Sequence, residues 1–206
     1  MPFISLGKER EALHARSEQY KASVTKYLTS RNYNLDMDSS VEGTYEDQVY
    51  FVRGRMKVII ECKDTDTSIY DSEFLVPFGR HLARFTRHSP DERFSLIYCT
   101  RSVRNPEPFR EIFEHLDIRH ARTLLAKSID ALRRTANAEA IRAAEVLVSV
   151  DDETLLSFME KTEVIAGSYE DFERAARMKP PPTHSSFLQS LSSPKRWRSH
   201  WQRWPL

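Results

Sequence analysis

The sequence predicts an α/β protein in which one mixed sheet carries helices on both faces. Three observations carry that prediction. Helix-like and strand-like stretches follow one another over residues 1–130 in the order helix, strand, hairpin, helix, strand, helix, strand. The stretches 57–60 and 94–100 hold apolar residues at successive positions, including Val58-Ile59-Ile60 and Leu96-Ile97-Tyr98-Cys99, as strands covered on both sides do. The helical stretches, by contrast, are apolar along one stripe only.

Taken in order, residues 8–30 read as a helix, with Leu13, Tyr20, Val24, Tyr27 and Leu28 on one face. Asn32-Tyr33-Asn34 supplies its stop, and a short strand is expected over 35–37. Residues 48–53 and 57–60 form a hairpin about Gly54 and Arg55. Two registers are open. A two-residue turn sets Arg53 opposite Met56, hence Glu46 opposite Lys63 and Asp47 opposite Cys62; a three-residue turn, or one bulge, sets Asp47 opposite Glu61.

Beyond the hairpin, residues 64–71 are polar and turn-like. A helix then starts near Ser72, with Pro77 compatible only with its first turn. Phe74, Phe78, Leu82 and Phe85 make its buried stripe. Arg80, Arg84 and Arg87 recur on another face, with His81 and His88 close by; this is either a solvated basic face or a set of phosphate contacts. The buried strand 94–100 is followed by Arg101 and Arg104, at the edge where ligands of α/β sheets tend to sit. Pro106 and Pro108 introduce a helix over 109–116, and 117–121 is expected to form a short edge strand carrying His120.

After Leu124 the pattern turns helical: 128–134, 136–147, 154–161 behind Asp151-Asp152, and 172–178 behind a capping box of Ser168 and Asp171. The chain therefore divides into a core over 1–130, a helical extension over 131–178 and a tail over 179–206. That tail opens with Pro180-Pro181-Pro182, continues Ser-rich, and ends with basic residues interleaved with Trp197, Trp201 and Trp204. Such interleaving suits phosphate attraction with base stacking, or a tail docked on a partner. Alanine-rich faces in the extension are packing surface, with room for a homodimer or larger assembly.

Composition sets outer limits. Charged residues are 30% and apolar residues 40% of 206, as in ordinary globular proteins. A net charge of +1 gives no overall attraction to polyanions, so nucleic-acid binding must come from local clustering. Cys62 and Cys99 both fall in strand-like runs and read as reduced thiols. The expectation is an intracellular protein, cytoplasmic or nuclear and not secreted, with no membrane span.

The chemistry gathers where the hairpin's second strand ends. Alternation puts Glu61 and Lys63 on one face and Cys62 on the other. A carboxylate and an ammonium closing an apolar run must pair, reach water or hold something charged. Glu46 and Asp47 add a second acidic pair upstream. An E-x-K tripeptide alone also fits a plain ion pair at a strand end.

Asp47, a hairpin, then Glu61-Cys62-Lys63 after Val58-Ile59-Ile60 resembles the PD-(D/E)XK signature of restriction-endonuclease-like nucleases, nearest to their Mrr-type and RecB-like branches. The resemblance favours Asp47 over Glu46. It implies a restriction-endonuclease-like mixed sheet in which Asp47, Glu61 and the Cys62 carbonyl hold Mg²⁺ (or Mn²⁺), and Lys63 orients or activates the attacking water. The substrate it implies is nucleic acid, DNA foremost, with Arg80, Arg84, Arg87, Arg101 and Arg104 along its track. Two departures stand out. No Pro precedes Asp47, and in the opening helix Lys21 occupies the position of the family's assisting Glu, leaving Glu18, one turn earlier, as the substitute. A nuclease-like module that binds nucleic acid or a protein partner without cleaving is the alternative.

Overall fold

A computed structural model describes residues 3–35, 48–53, 56–89 and 94–178. The described elements are α1 (Phe3–Thr29), β1 (Asn34–Leu35), β2 (Gln48–Arg53), β3 (Met56–Thr67), α2 (Ser72–Arg87), β4 (Ser95–Val103), α3 (Pro106–Phe113), α4 (Ile118–Arg134), α5 (Ala138–Leu147), α6 (Asp152–Glu160), β5 (Thr162–Ala166) and α7 (Tyr169–Arg177). They build a mixed α/β fold. The five strands lie in chain order, with β1, β2 and β3 antiparallel and β3, β4 and β5 parallel.

Each face of the sheet has its own core. Val58, Ile60 and Cys62 of β3 and Ile97 and Cys99 of β4 point to one side, where Tyr20, Val24 and Leu28 of α1 meet Phe172 of α7. Ile59 of β3 and Leu96 and Tyr98 of β4 point to the other, under α2 to α6. The period-two alternation of the strands thus sorts one apolar run between two helical layers. Helix ends follow their sequence signals. Asn32 takes a left-handed φ of 64° just past α1, Asp151 accepts from the Thr154 amide, and Ser168 with Asp171 closes a full capping box.

The hairpin takes the two-residue register: Arg53 lies opposite Met56, and the pairing continues unbroken to Gln48 opposite Glu61. Glu46 and Asp47 lie outside the described residues, as do Gly54, Arg55 and the tail 179–206.

Four expectations are corrected. Residues 64–67 are not a turn, because β3 continues to Thr67 through an irregularity between Lys63 and Asp66 and pairs Asp66 with Ser102. A hydroxyl chain fastens that extension. Thr100 Oγ1 donates to the Thr65 carbonyl at 2.7 Å, so Thr67 Oγ1, 2.7 Å away, is the donor to Thr100. Pro77 is the sixth residue of α2, beyond the first turn. Residues 117–121 form no edge strand: Asp117 caps α4, its carboxylate accepting from the Arg119 and His120 amides. The edge strand comes instead from Thr162–Ala166, between the expected helices 154–161 and 172–178, so the extension 131–178 gives the sheet β5 and its Cys62 face α7.

Among the described residues no helix is long and apolar enough to cross a membrane.

Candidate functional site

The sequence places Glu61 two residues beyond Ile59, on the face that α2 covers, and the structure buries it there at 3% exposure. A carboxylate so placed needs cationic or donor partners on both oxygens. It has them. Lys63 Nζ lies 3.4 Å from Oε1 and His81 Nε2 lies 3.1 Å from Oε2. With Glu61 ionised its oxygens only accept, so Nε2 carries the hydrogen in this contact. His81 is itself 2% exposed, while the Lys63 side chain is 23% exposed and leads the group toward solvent.

Glu61 and Lys63 are therefore brought together as their spacing requires. Cys62, between them, turns its thiol into the opposite core, so only its main chain shares the Glu61 side. Glu18 sits on the helix that covers the Cys62 face, where its carboxylate is 3.8 Å from Lys21. Carboxylate and carbonyl oxygens are donors of the kind Mg²⁺ takes. Among the described residues, however, no three His, Cys, Asp or Glu side chains gather closely enough to hold an ion. Asp47, the acid that the resemblance adds to the set, lies outside them, and the described register sets Gln48, not Asp47, opposite Glu61.

The arginines divide. Arg80 and Arg84 are half-buried along α2 and Arg87 is exposed at its end. At the carboxyl end of the parallel strands, Arg101 is held by acids of β3 and Arg104 by an acid of the β3–α2 connection. Arg101 Nε donates to Asp66 at 3.0 Å, its Nη1 lies 3.8 Å from Asp64, and Arg104 pairs with Asp71. Hydrogen bonds from Arg101 and Ser102 hold the Asp66 carboxyl down at about 2. These pairs border an open pocket of about 470 Å³ lined by Thr65, Asp66, Asp71, Ser72, Glu73 and Arg104. Its balance of charges does not single out a polyanion.

His81 is the site residue that the sequence reading passed over. A signal was present, because Phe78, His81, Leu82 and Phe85 fall at helical spacing i, i+3, i+4 and i+7 on one stripe. A histidine inside an apolar stripe must have a buried partner.

Comparison with protein-family models, with curated proteins and with solved structures returns no significant match to this chain.

Proposed function

We propose that the chain is a metal-dependent nuclease of the PD-(D/E)XK type that hydrolyses phosphodiester bonds, DNA foremost. The observation that carries this reading is the convergence of Glu61 and Lys63, 3.4 Å apart just past the apolar run of β3, a strand between an antiparallel and a parallel neighbour. The order of α1, the hairpin, α2 and β4 is also that of the resembled fold. In this reading Asp47, Glu61 and the Cys62 carbonyl hold Mg²⁺, which when bound acidifies a water and neutralises phosphate charge. Glu61 supplies a carboxylate already desolvated and oriented. The Lys63 ammonium, partly open to solvent, faces the substrate side and balances charge that builds on the phosphate.

The test is cleavage of supercoiled plasmid and of labelled single- and double-stranded DNA and RNA with Mg²⁺ or Mn²⁺. Asp47→Ala and Lys63→Ala are expected to lose cleavage while melting near the wild-type temperature. Equal cleavage by wild type and both variants refutes the reading.

A second reading is a module of this type that binds nucleic acid or a protein partner without cutting it. Lys21, standing where the resembled helix carries an acid and paired with Glu18, favours it. Its signature is salt-sensitive binding of nucleic acid with no hydrolysis by any of the three proteins.

A further inference from the structure

We infer that His81 is a positioning residue for Glu61, setting the plane and aim of its carboxylate for a divalent cation. This inference rests on the reading of Glu61 as a metal-holding group.

The buried stripe of α2 calls for an apolar side chain at position 81, yet it carries an imidazole whose burial is costly without a polar partner. The partner is on another element, 20 residues earlier: His81 Nε2 meets Glu61 Oε2 at 3.1 Å, across the interface between α2 and β3. Lys63 meets the other oxygen, Oε1, at 3.4 Å. The two cannot do the same work. Lys63 sits on the same strand at the end of a flexible stem that is 23% exposed, and a point charge leaves the carboxylate free to roll. The imidazole is planar and 2% exposed, and the ring of Phe94 packs edge-on to it with centroids 6.2 Å apart at 72°. A ring held in this way dictates the direction of its N–H, and through it the orientation of the carboxylate. Position 81 thus gives up apolar packing in favour of a directional bond to the one described acid of the candidate site.

The experiment uses the full chain and Mn²⁺ alone as probe, titrated by calorimetry beside thermal melts. Three variants separate the donor from the volume. His81→Gln keeps a donor near Nε2; His81→Leu and His81→Phe remove it, the second keeping a ring against Phe94. Loss of an outer partner of a ligating group costs about 10–100-fold in metal affinity. His81→Leu and His81→Phe are therefore expected to bind Mn²⁺ at least about tenfold more weakly, and His81→Gln within about threefold of wild type. If His81→Leu does not fold, His81→Phe decides. Folded donorless variants that bind Mn²⁺ like wild type overturn the inference and leave the nuclease reading standing. So does His81→Gln falling as far as the other two. A wild-type chain that takes up no Mn²⁺ overturns both.

Discussion

The hydroxyl of Tyr98 donates to the main-chain carbonyl of Glu73 at 2.9 Å. That carbonyl is the one whose helical donor would be the N–H four residues on, and the residue there is Pro77, which has none. A side chain from β4 thus satisfies the acceptor that a proline inside α2 leaves over, which is how the helix tolerates Pro77 beyond its first turn. Tyr98→Phe should destabilise the protein by about 0.5–1.5 kcal/mol, the net worth of a hydrogen bond to a part-buried acceptor. In a Pro77→Ala background, where the helix regains its own N–H, the same substitution should cost less than about 0.5 kcal/mol. Urea unfolding of the four proteins of this cycle measures the difference; equal penalties in both backgrounds would refute the compensation.

Gly79 packs against α4 where a side chain on α2 has no room. A Cβ there would stand 2.8 Å from Leu132 Cδ1 and 3.3 Å from Ser128 Cβ. Alanine gains about 1 kcal/mol of helix propensity over glycine, but overpacking costs about 1–3 kcal/mol. Gly79→Ala should lower the unfolding midpoint slightly and Gly79→Val much more. A Gly79→Ala protein that melts higher than wild type would show that the helices have room to part.

Removing the carboxylate of Glu61 leaves His81 buried beside a lysine with no acid between them. Glu61→Ala should cost about 2–3 kcal/mol, below the full penalty for breaking a buried pair because Lys63 can turn to water. Glu61→Gln, which keeps an acceptor for the imidazole, should cost about half as much. Denaturant titration would read a near-zero cost for Glu61→Ala as evidence that the trio contributes little to the fold.

Acid should weaken the fold in a defined window. Arg101 and Ser102 hold the Asp66 carboxyl at about 2 in the folded chain, against 3.8 for an ordinary aspartate. Its stabilising contribution is therefore complete above about pH 4 and is lost as pH falls toward about 2. The Glu173 carboxyl, bonded by Lys26, and the Asp117 carboxyl, bonded by the His120 amide, are lowered too and act with the same sign. The melting temperature of Asp66→Asn should fall less steeply than wild type across this window. Parallel curves would remove Asp66 from the account.

What the sequence made legible were features written in neighbouring residues. The alternation through Val58-Ile59-Ile60-Glu61 gives the two cores and the facing of Glu61 with Lys63, and the caps at Asp151 and Ser168 follow from local spacing. What stayed hidden depends on partners far along the chain. Pro77 fits because of Tyr98, 21 residues on, and Arg101 is taken up by acids 35 and 37 residues earlier, once parallel pairing brings the strand ends together. Residues 117–121 were readable, since Ile118, Ala121, Leu124, Leu125, Ser128 and Leu132 keep one helical stripe. The strand Thr162–Ala166 is five residues between two helices, too short for alternation to compete with its surroundings.

That last strand has a consequence for how the molecule is made. β4 ends at Val103, but the neighbour that covers its outer side, β5, begins at Thr162, roughly 60 residues later. At about 5–20 residues per second, a nascent chain carries an apolar strand with a bare flank for roughly 3–12 s. A fragment cut at residue 130 would carry it permanently, and such a fragment should aggregate through Leu96–Thr100 pairing with its own kind.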